Sequence, residues 1–401
     1  MKRSLSTRAE AMPASQIRKL VPFADQAKQK GTHVYHLNIG QPDVKTAPQV
    51  LQALKHFGED VISYSPSRGD HAYVKAVQGY YESLGIPLSP SNINITTGGS
   101  EAVFFAFWST LNPGDEIIIP EPFYTNYNGF ACMAGVKIVP VTTQGANGFH
   151  LPPKEDIVAK ITPNTKAILL CNPSNPTGTV YTRQEVDMIA EIVKEHSLWM
   201  FCDEVYREFI FEPQEDLYKS ALQIEGIEDQ VVVIDSISKR FSMCGARLGC
   251  VISRNTELME AVLRLAQARL SSPQVAQVMG VAAHELPPET IPNMIDEYKR
   301  RRDVVYNALT QMEGVHVAQP EGAFYLIPKL PIDNTEDFAK WLLTDFSYED
   351  KTVMVAPASG FYATPGLGYD EIRIAYVLNT DLLADAMSLL ERAIDQYNST
   401  R

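Results

Sequence analysis

The chain has 401 residues, 45% of them hydrophobic and 21% charged, and its formal net charge is −13. This composition predicts a folded globular protein long enough for two domains and excludes a disordered or fibrous chain. The acidic balance argues against a nucleic-acid partner, and no apolar run approaches the roughly 20 residues needed to cross a membrane. Five cysteines without a C-x-x-C pair indicate buried thiols in a reducing compartment, and no secretory signal is recognisable. We therefore expect a cytoplasmic protein without a membrane partner or a metal site.

The first 45 residues are predicted to be irregular, apart from one alternating segment at 34–39. That segment ends in Gly40-Gln41-Pro42-Asp43, a turn-forming cluster. Gly40 is explained either by the turn itself or by a ligand that approaches its backbone N–H closely. A helix is predicted after Pro48, followed by an exposed, defined loop that runs from Tyr64 to Gly69.

From residue 93 onward, short apolar runs alternate with helical patterns, which is typical of an α/β domain with a mostly parallel sheet. Several runs are apolar throughout, as expected of strands covered by helices on both faces. The capping box Thr182-Arg183-Gln184-Glu185 marks the start of one intervening helix. The seven predicted strands are 93–96, 116–120, 136–141, 167–172, 199–203, 231–235 and 249–253.

Beyond Pro287-Pro288 the pattern changes to a mixed α+β segment. It predicts helices at 296–311, 337–343 and 380–397 and a strand at 322–327, and it contains two further apolar segments at 353–355 and 372–377. The fold class is therefore predicted to be α/β, with a mostly parallel seven-stranded sheet and a smaller α+β domain formed by both termini. The predicted division is a large domain at 46–288 and a small domain at 1–45 and 289–401.

The stretch from Ser236 to Gly249 begins at the end of the predicted strand 231–235. Lys239 and Arg247 lie within it among serines and glycines. One interpretation is a solvated basic loop. The other is a reactive amine beside residues that hold a dianionic phosphate.

A second patch, Thr97-Gly98-Gly99-Ser100, joins a predicted strand to an apolar helix. Ser100 is explained either as a helix cap or as part of an anion site, because free N–H groups and the helix dipole attract negative charge at a helix N-terminus.

Three further residues follow predicted strands, at the sheet edge where α/β folds usually bind ligands. Tyr124 is suited either to stack on a flat ring or to pack in the core. Asn175, in a turn with two Asn-Pro steps, presents an amide. Asp203 ends a buried strand and needs a cation, either a protonated ring nitrogen of a ligand or a nearby arginine. Together these patches suit pyridoxal 5′-phosphate.

With these motifs the chain resembles the class I/II aminotransferases of pyridoxal phosphate fold type I. Three motifs carry the resemblance, in the expected order, and within the family the chain looks most similar to prokaryotic aspartate aminotransferases. They are Asn172-Pro173-Ser174-Asn175-Pro176-Thr177-Gly178, Asp203-Glu204-Val205-Tyr206, and the lysine motif from Ser236-Ile237-Ser238-Lys239 to Arg247-Leu248-Gly249.

The resemblance implies a role for each matched residue. Lys239 would bind the cofactor covalently and transfer protons, and Asp203 would keep its ring nitrogen protonated. Tyr124 would stack on the ring, while Asn175 and Tyr206 would bind its phenolic oxygen. The residues implied to hold the phosphate are Gly99, Ser100, Ser236, Ser238 and Arg247.

The resemblance also implies how substrate binds and how the chain assembles. Arg373 would bind the substrate α-carboxylate, assisted by the N–H of Gly40 and by Asn175. Tyr64 would reach the phosphate of a partner subunit, so a homodimer with shared active sites is expected. A structural ion pair is the alternative role of Arg373.

The predicted reaction is ping-pong transamination between an amino acid and 2-oxoglutarate, with aspartate as the expected donor. Aspartate requires a second cation for its distal carboxylate. Our candidate is Arg269 of the partner subunit, although this residue also fits a surface helix. The alternatives are donors such as alanine or aromatic amino acids, or a lyase reaction on the same scaffold. A transcriptional regulator fits poorly because the chain is acidic. A dinucleotide-dependent dehydrogenase fits poorly because the chain lacks G-x-G-x-x-G after its first strand.

Overall fold

The central element of the fold is a seven-stranded sheet, observed in a computed structural model that describes residues 4–58, 60–212 and 217–400. The strand order is β2-β8-β7-β6-β5-β3-β4. Only β8 runs antiparallel to its neighbours, so the other six strands point the same way. These strands are β2 (Ile93–Thr96), β3 (Glu116–Glu121), β4 (Lys137–Thr142), β5 (Thr165–Cys171), β6 (Trp199–Asp203), β7 (Val231–Ser236) and β8 (Gly249–Ile252). The predicted fold class and all seven predicted strands are confirmed.

The central strands are apolar because both of their faces are covered. In β7, Val231 and Val233 pack into one hydrophobic cluster, while Val232 and Ile234 pack into a second. Neighbouring side chains point to opposite faces of a strand, so a continuous apolar run is the signature of a sheet with helices on both sides.

The helices of the described residues connect and cover the strands. Helix α8 begins at the predicted capping box, in which Thr182 and Glu185 bond reciprocally. No helix within the described ranges is long and apolar enough to cross a membrane. The helices are α1 (Thr7–Ala11), α2 (Val21–Gln29), α3 (Pro48–Lys55), α4 (His71–Ser83), α5 (Gly98–Thr110), α6 (Asn126–Ala134), α7 (Lys154–Val158), α8 (Arg183–His196), α9 (Ile237–Arg240), α10 (Thr256–Arg269), α11 (Gln274–His284), α12 (Thr290–Gln311), α13 (Thr335–Thr344) and α14 (Thr380–Ser399).

Two small sheets lie outside the central sheet in the described part of the chain, and one of them joins an N-terminal strand to a C-terminal one. Strand β1 (His33–His36) pairs in parallel with β10 (Lys351–Met354). Strand β12 (Ile372–Ala375) pairs with both β9 (Tyr325–Leu326) and β11 (Ala356–Pro357). One hydrophobic cluster contains residues from α2, β1, α12, α13 and α14. The domain bounds themselves stay a prediction, and their outer limits at residues 1 and 401 lie outside the described residues.

Two local predictions were wrong. The first 45 residues are not irregular apart from one strand, because α1 and α2 form there. Helix α2 is short and buries only Ala24 and Ala27, so its apolar period is too weak to stand out in the sequence. The strand predicted at 322–327 is reduced to β9, because the chain turns at Ala323, which has φ = +54°, and Gly322 pairs with Ile210 instead.

The parallel strands end at one edge of the central sheet, and this edge supports the site. Strands β5, β6 and β7 end there at Cys171, Asp203 and Ser236. Strand β2 runs in the same direction as β7, because both are antiparallel to β8. Helix α5 begins just after β2, so its N-terminus lies at the same edge. The carboxyl edge of such a sheet is the usual ligand site of α/β folds.

Candidate active site

A cavity of about 540 Å³ lies at this edge. Its wall contains nearly every predicted site residue, although these residues are separated by up to several hundred positions in the sequence. Those that line it are Gly40, Gly99, Ser100, Tyr124, Asn175, Asp203, Tyr206, Ser236, Ser238, Lys239, Arg247 and Arg373. Only Tyr64 and Arg269 lie outside it.

Lys239 is held by a single helical turn that directly follows a buried strand. Ser236 caps α9 by accepting a hydrogen bond from the Ser238 N–H. The Nζ of Lys239 donates to the carbonyl oxygen of Gly40 at 2.7 Å and lies 3.9 Å from the Sγ of Cys244. Burial lowers the pKa of Lys239, because desolvation penalises its charged form. The amine is therefore closer to its nucleophilic, neutral state than an exposed lysine is.

Asp203 is buried without a cation. Its Oδ2 accepts a hydrogen bond from the hydroxyl of Tyr127 at 2.6 Å, and its Oδ1 accepts one from the Val205 N–H at 3.4 Å. Burial raises its pKa to about 6. No lysine or arginine of the described ranges forms an ion pair with this carboxyl group, so the alternative of a structural arginine partner fails. The site has room for a cationic ligand atom here.

The N-terminus of α5 lies at the cavity and is suited to bind an anion. Thr97, its cap residue, makes no side-chain capping bond, so the first N–H groups of the helix keep no side-chain acceptor. Gly98 has φ = +77°, and a Cβ there would lie 2.5 Å from Nη2 of Arg247. Glycine is therefore required for the guanidinium to approach the helix end. The hydroxyls of Ser236 and Ser238 lie 2.8 Å apart on the same cavity wall.

Arg373 lies in β12 and is only 1% exposed. Its Nη1 donates to Oδ1 of Asn175 at 3.2 Å and its Nη2 to the carbonyl oxygen of Asn38 at 2.5 Å, while its Nε is buried without an acceptor. Among the described residues no carboxylate pairs with it. The alternative of a structural ion pair is therefore wrong, and the guanidinium is free to bind a carboxylate.

The remaining predicted residues form the walls around these charges. The hydroxyl of Tyr124 accepts a hydrogen bond from Asn126 at 2.8 Å, and its ring packs edge-on against Tyr127 at 5.5 Å between centroids. The hydroxyl of Tyr206 lies 2.7 Å from that of Tyr325. A Cβ on Gly40 would fall 1.6 Å from the Tyr325 hydroxyl, so this close approach requires glycine.

The cavity residues that were not assigned from the sequence include Tyr127, Tyr325 and Arg18. Tyr127 donates a hydrogen bond to Asp203, and its position three residues after Tyr124 is a signal that was available. Tyr325 follows a predicted strand start, but nothing local distinguishes it from a core aromatic residue. Arg18 belongs to the N-terminal segment that was predicted to be irregular.

Tyr64 and Arg269 lie outside the cavity. Tyr64 is 79% exposed. Arg269 donates to the carbonyl oxygens of Ile95 at 3.1 Å and of Ser67, in the Tyr64 loop, at 3.5 Å, and it lies 3.7 Å from Glu101. Whether either residue reaches the cavity of a second subunit stays a prediction.

Comparisons with known proteins agree on one family. The sequence model for aminotransferase class I and II matches residues 32–389. An aspartate aminotransferase from Pyrococcus horikoshii is 31% identical, over 98% of this chain and 97% of the relative. The crystal structure of an aspartate aminotransferase from Thermotoga maritima has a TM-score of 0.88 at 28% identity, covering 98% of this chain and 100% of that one. An alanine aminotransferase from Pyrococcus furiosus has the same TM-score, 0.88, at 29% identity and the same coverage, 98% and 100%.

Proposed function

The chain belongs to the class I and II aminotransferases, and we propose that it transfers the amino group of aspartate to 2-oxoglutarate. Aminotransferases of this class and fold use pyridoxal phosphate and act on amino acids and oxo acids. The choice of aspartate is the part that we propose, because the similar proteins include both aspartate and alanine aminotransferases.

The unpaired guanidinium of Arg373 is the observation that supports an amino-acid substrate, and the preference for aspartate rests on the aspartate aminotransferases among the relatives. A buried charge without a counter-ion is destabilising, and it persists where a ligand supplies the missing partner. Two nitrogen donors on one face of an arginine match a carboxylate in a two-point contact. We assign to Arg373 the α-carboxylate, which every amino donor carries.

The residues of the cavity fit pyridoxal phosphate. Bound pyridoxal phosphate supplies an aldehyde that condenses with amines and a protonated ring that withdraws electrons from the substrate Cα. The buried carboxyl group of Asp203 has no cation and would bind the protonated ring nitrogen. The uncapped N-terminus of α5, Ser236, Ser238 and Arg247 would hold the phosphate, with Gly99 and Ser100 on the same wall.

Lys239 would bind the cofactor and then transfer protons. Its lowered pKa favours the neutral amine, which is needed to bond to an aldehyde carbon and to accept a proton from the substrate Cα. The hydrogen bond to the carbonyl oxygen of Gly40 keeps Nζ inside the cavity. Tyr124 would cover the ring face, and Asn175 and Tyr206 would bind the ring oxygen.

We further propose a homodimer in which Tyr64 contributes to the partner's phosphate site. Several large apolar side chains near Tyr64 in the sequence are exposed, including Val61 and Ile62 at 68% and 69%. Exposed apolar residues on one segment favour a protein contact. A second cavity, lined by Trp108, Leu265 and Arg269, opens on the surface that carries Ser100. A cytoplasmic location stays a prediction, supported by five unpaired cysteines within the described residues.

The substrate proposal is tested by a panel of amino donors with 2-oxoglutarate as acceptor. Aspartate is expected to give the highest kcat/KM, and alanine is the competing donor suggested by the Pyrococcus furiosus neighbour. A clear preference for alanine or phenylalanine would refute aspartate. Borohydride reduction should fix the cofactor on Lys239, and mass spectrometry of the digested protein identifies the modified residue.

Shared active sites are tested by mixing two inactive variants, Tyr64→Ala and Lys239→Ala. If Tyr64 acts across the interface, a heterodimer contains one site with both native residues and recovers part of the activity. Verified heterodimers that recover none would contradict the proposal.

A further inference from the structure

The cavity contains one cation that the proposed reaction has not used. Four cationic residues and a single acid line it within the described ranges: Arg18, Lys239, Arg247 and Arg373, against Asp203. In the proposed function, Lys239 bonds to the cofactor, Arg247 faces its phosphate, and Arg373 binds the α-carboxylate. Arg18 is left without an anion.

The guanidinium of Arg18 is exposed at the opening of the cavity. No ion pair or side-chain hydrogen bond is formed by Arg18 with any other residue of the described chain, and its own N–H bonds only to Ser15. Its neighbour Lys19, in contrast, pairs with Glu336 at 2.5 Å. The free guanidinium on this segment is therefore the one directed at the cavity.

Arg18 belongs to a segment that is fixed relative to Arg373. The side chain of Asn38 donates to the carbonyl oxygen of Ile17 at 3.3 Å, while the carbonyl oxygen of Asn38 accepts the 2.5 Å bond from Arg373. Ile17 also packs against the cluster that contains Phe361. A single asparagine thus links the two arginines, so their separation does not depend on a flexible N-terminus.

The two arginines act on one part of the cavity. Burial raises the pKa of the Tyr124 hydroxyl, and the charges of Arg373, Arg247 and Arg18 oppose this rise. All three guanidinium groups therefore lie within electrostatic range of one phenol. An anion that spans from Arg373 toward the opening would meet Arg18.

We propose that Arg18 binds the distal carboxylate of a dicarboxylic substrate, from the same subunit that supplies Arg373. This inference rests on the proposed aminotransferase function and identifies the residue that selects aspartate, glutamate and their oxo acids over monocarboxylic substrates. Arg269 is the weaker candidate, because its guanidinium already donates to Ile95 and Ser272 and faces Glu101.

The test compares Arg18→Ala with the wild type in half-reactions of the holoenzyme with aspartate, glutamate and alanine. Loss of a charge-assisted hydrogen bond to carboxylate lowers kcat/KM about tenfold to a hundredfold for aspartate and glutamate. For alanine we expect a change of no more than about twofold, since its methyl group has no charge to bind. Arg18→Lys should restore part of the preference for dicarboxylic donors. In the wild type, added salt should weaken this preference because Arg18 is exposed.

Two matched variants complete the experiment. Arg8→Ala removes the same charge from the N-terminal segment at a residue outside the cavity. This variant should leave kcat/KM unchanged for every donor. Arg269→Ala should not change the ratio of aspartate to alanine. The assignment would be overturned if Arg18→Ala lowered kcat/KM equally for all donors or for none. It would also be overturned if Arg269→Ala instead caused a loss for aspartate and glutamate alone. A wild type that prefers glutamate would refute aspartate as the donor while leaving the role of Arg18 intact.

Discussion

Two groups of buried charges lie close to Lys239 in this protein, and they differ in whether their charges are paired. The paired group consists of Glu204, Arg207, Asp235 and Arg240. Arg240 bonds both oxygens of Asp235 at 2.7 and 2.8 Å, and Arg207 contacts Glu204 at 2.7 Å and Asp235 at 3.4 Å. The cavity group consists of Asp203 and Arg373, and neither has an oppositely charged partner among the described residues.

This difference indicates that the paired group stabilises the fold, whereas the cavity group is suited to bind a ligand. In the paired group the residue next to Lys239 is tied to the end of β7, so the ion pairs hold α9 in place. In the cavity group one acid and one cation are buried at a cost in stability. Their charges predict a ligand that brings a cation to Asp203 and a carboxylate to Arg373. The following predictions test this contrast, beginning with the largest effect.

Asp235→Asn should destabilise the protein most. Burial alone raises the pKa of Asp235, but Arg240 and Arg207 outweigh it and hold the pKa well below its ordinary range. Removal of the charge takes the bidentate carboxylate from the buried Arg240 and leaves Arg207 with the carboxylate of Glu204, so the free energy of unfolding should fall by about 3 to 5 kcal/mol. Urea denaturation measures this change. Glu195→Gln, in an exposed pair with Lys154, is the control and should cost less than about 1 kcal/mol. If both variants lowered the free energy of unfolding by the same amount, the buried ion pairs would not be a special source of stability.

Arg373→Ala, in contrast to Asp235→Asn, should lower activity and leave stability intact. We expect kcat/KM to fall roughly a thousandfold for every amino donor, about 4 kcal/mol, because the α-carboxylate loses its charged partner. Stability should not fall, since the variant removes a buried charge that has no counter-ion. Arg373→Lys retains the charge without the two-point geometry and should recover only part of the activity. Strong destabilisation with normal kinetics would assign Arg373 to the scaffold instead.

Asp203 should make the apoenzyme less stable as pH rises. Its pKa is raised by burial from the ordinary 3.8 to about 6, so the folded apoenzyme binds a proton more tightly than the unfolded chain. The associated stability is present below pH 4 and is lost as pH rises through 6, by about 3 kcal/mol. Asp203→Asn should lack this loss. The difference between the two apoenzymes, measured by denaturation from pH 4 to 7, isolates the contribution of this group, and parallel profiles would disprove it.

Tyr127→Phe should have the smallest effect. The variant removes the 2.6 Å hydrogen bond to Asp203 but keeps the ring, so cofactor affinity should fall about tenfold, the value of one hydrogen bond to a charged group. Titration of the apoenzyme with pyridoxal phosphate measures it. Tyr362→Phe removes a bond of the same 2.6 Å length, to Glu371 outside the cavity, and should leave the affinity unchanged. A similar loss in both variants would indicate a general effect on packing.

Much of the fold was predictable because it depends on local pattern. The apolar runs of β5, β6 and β7 and the capping box of α8 each lie within a few consecutive residues, and both appear in the structure as expected. The cofactor followed from motifs of similar length around Asn175, Asp203 and Lys239. Helix α2 was missed, since its burial depends on contacts with β1 and α13 rather than on its own sequence.

The sequence by itself determined which residue types follow each strand, and hence the family, the fold class and the cofactor. Only the tertiary structure decided which charges are paired. Asp235 and Asp203 both end apolar strands and look alike in the sequence, yet one meets two arginines and the other a tyrosine. The same holds for Arg18, whose free guanidinium becomes evident only beside Asn38 and Arg373. The physical reason is that the free energy of a buried charge depends on its neighbours in space, and these come from distant parts of the chain.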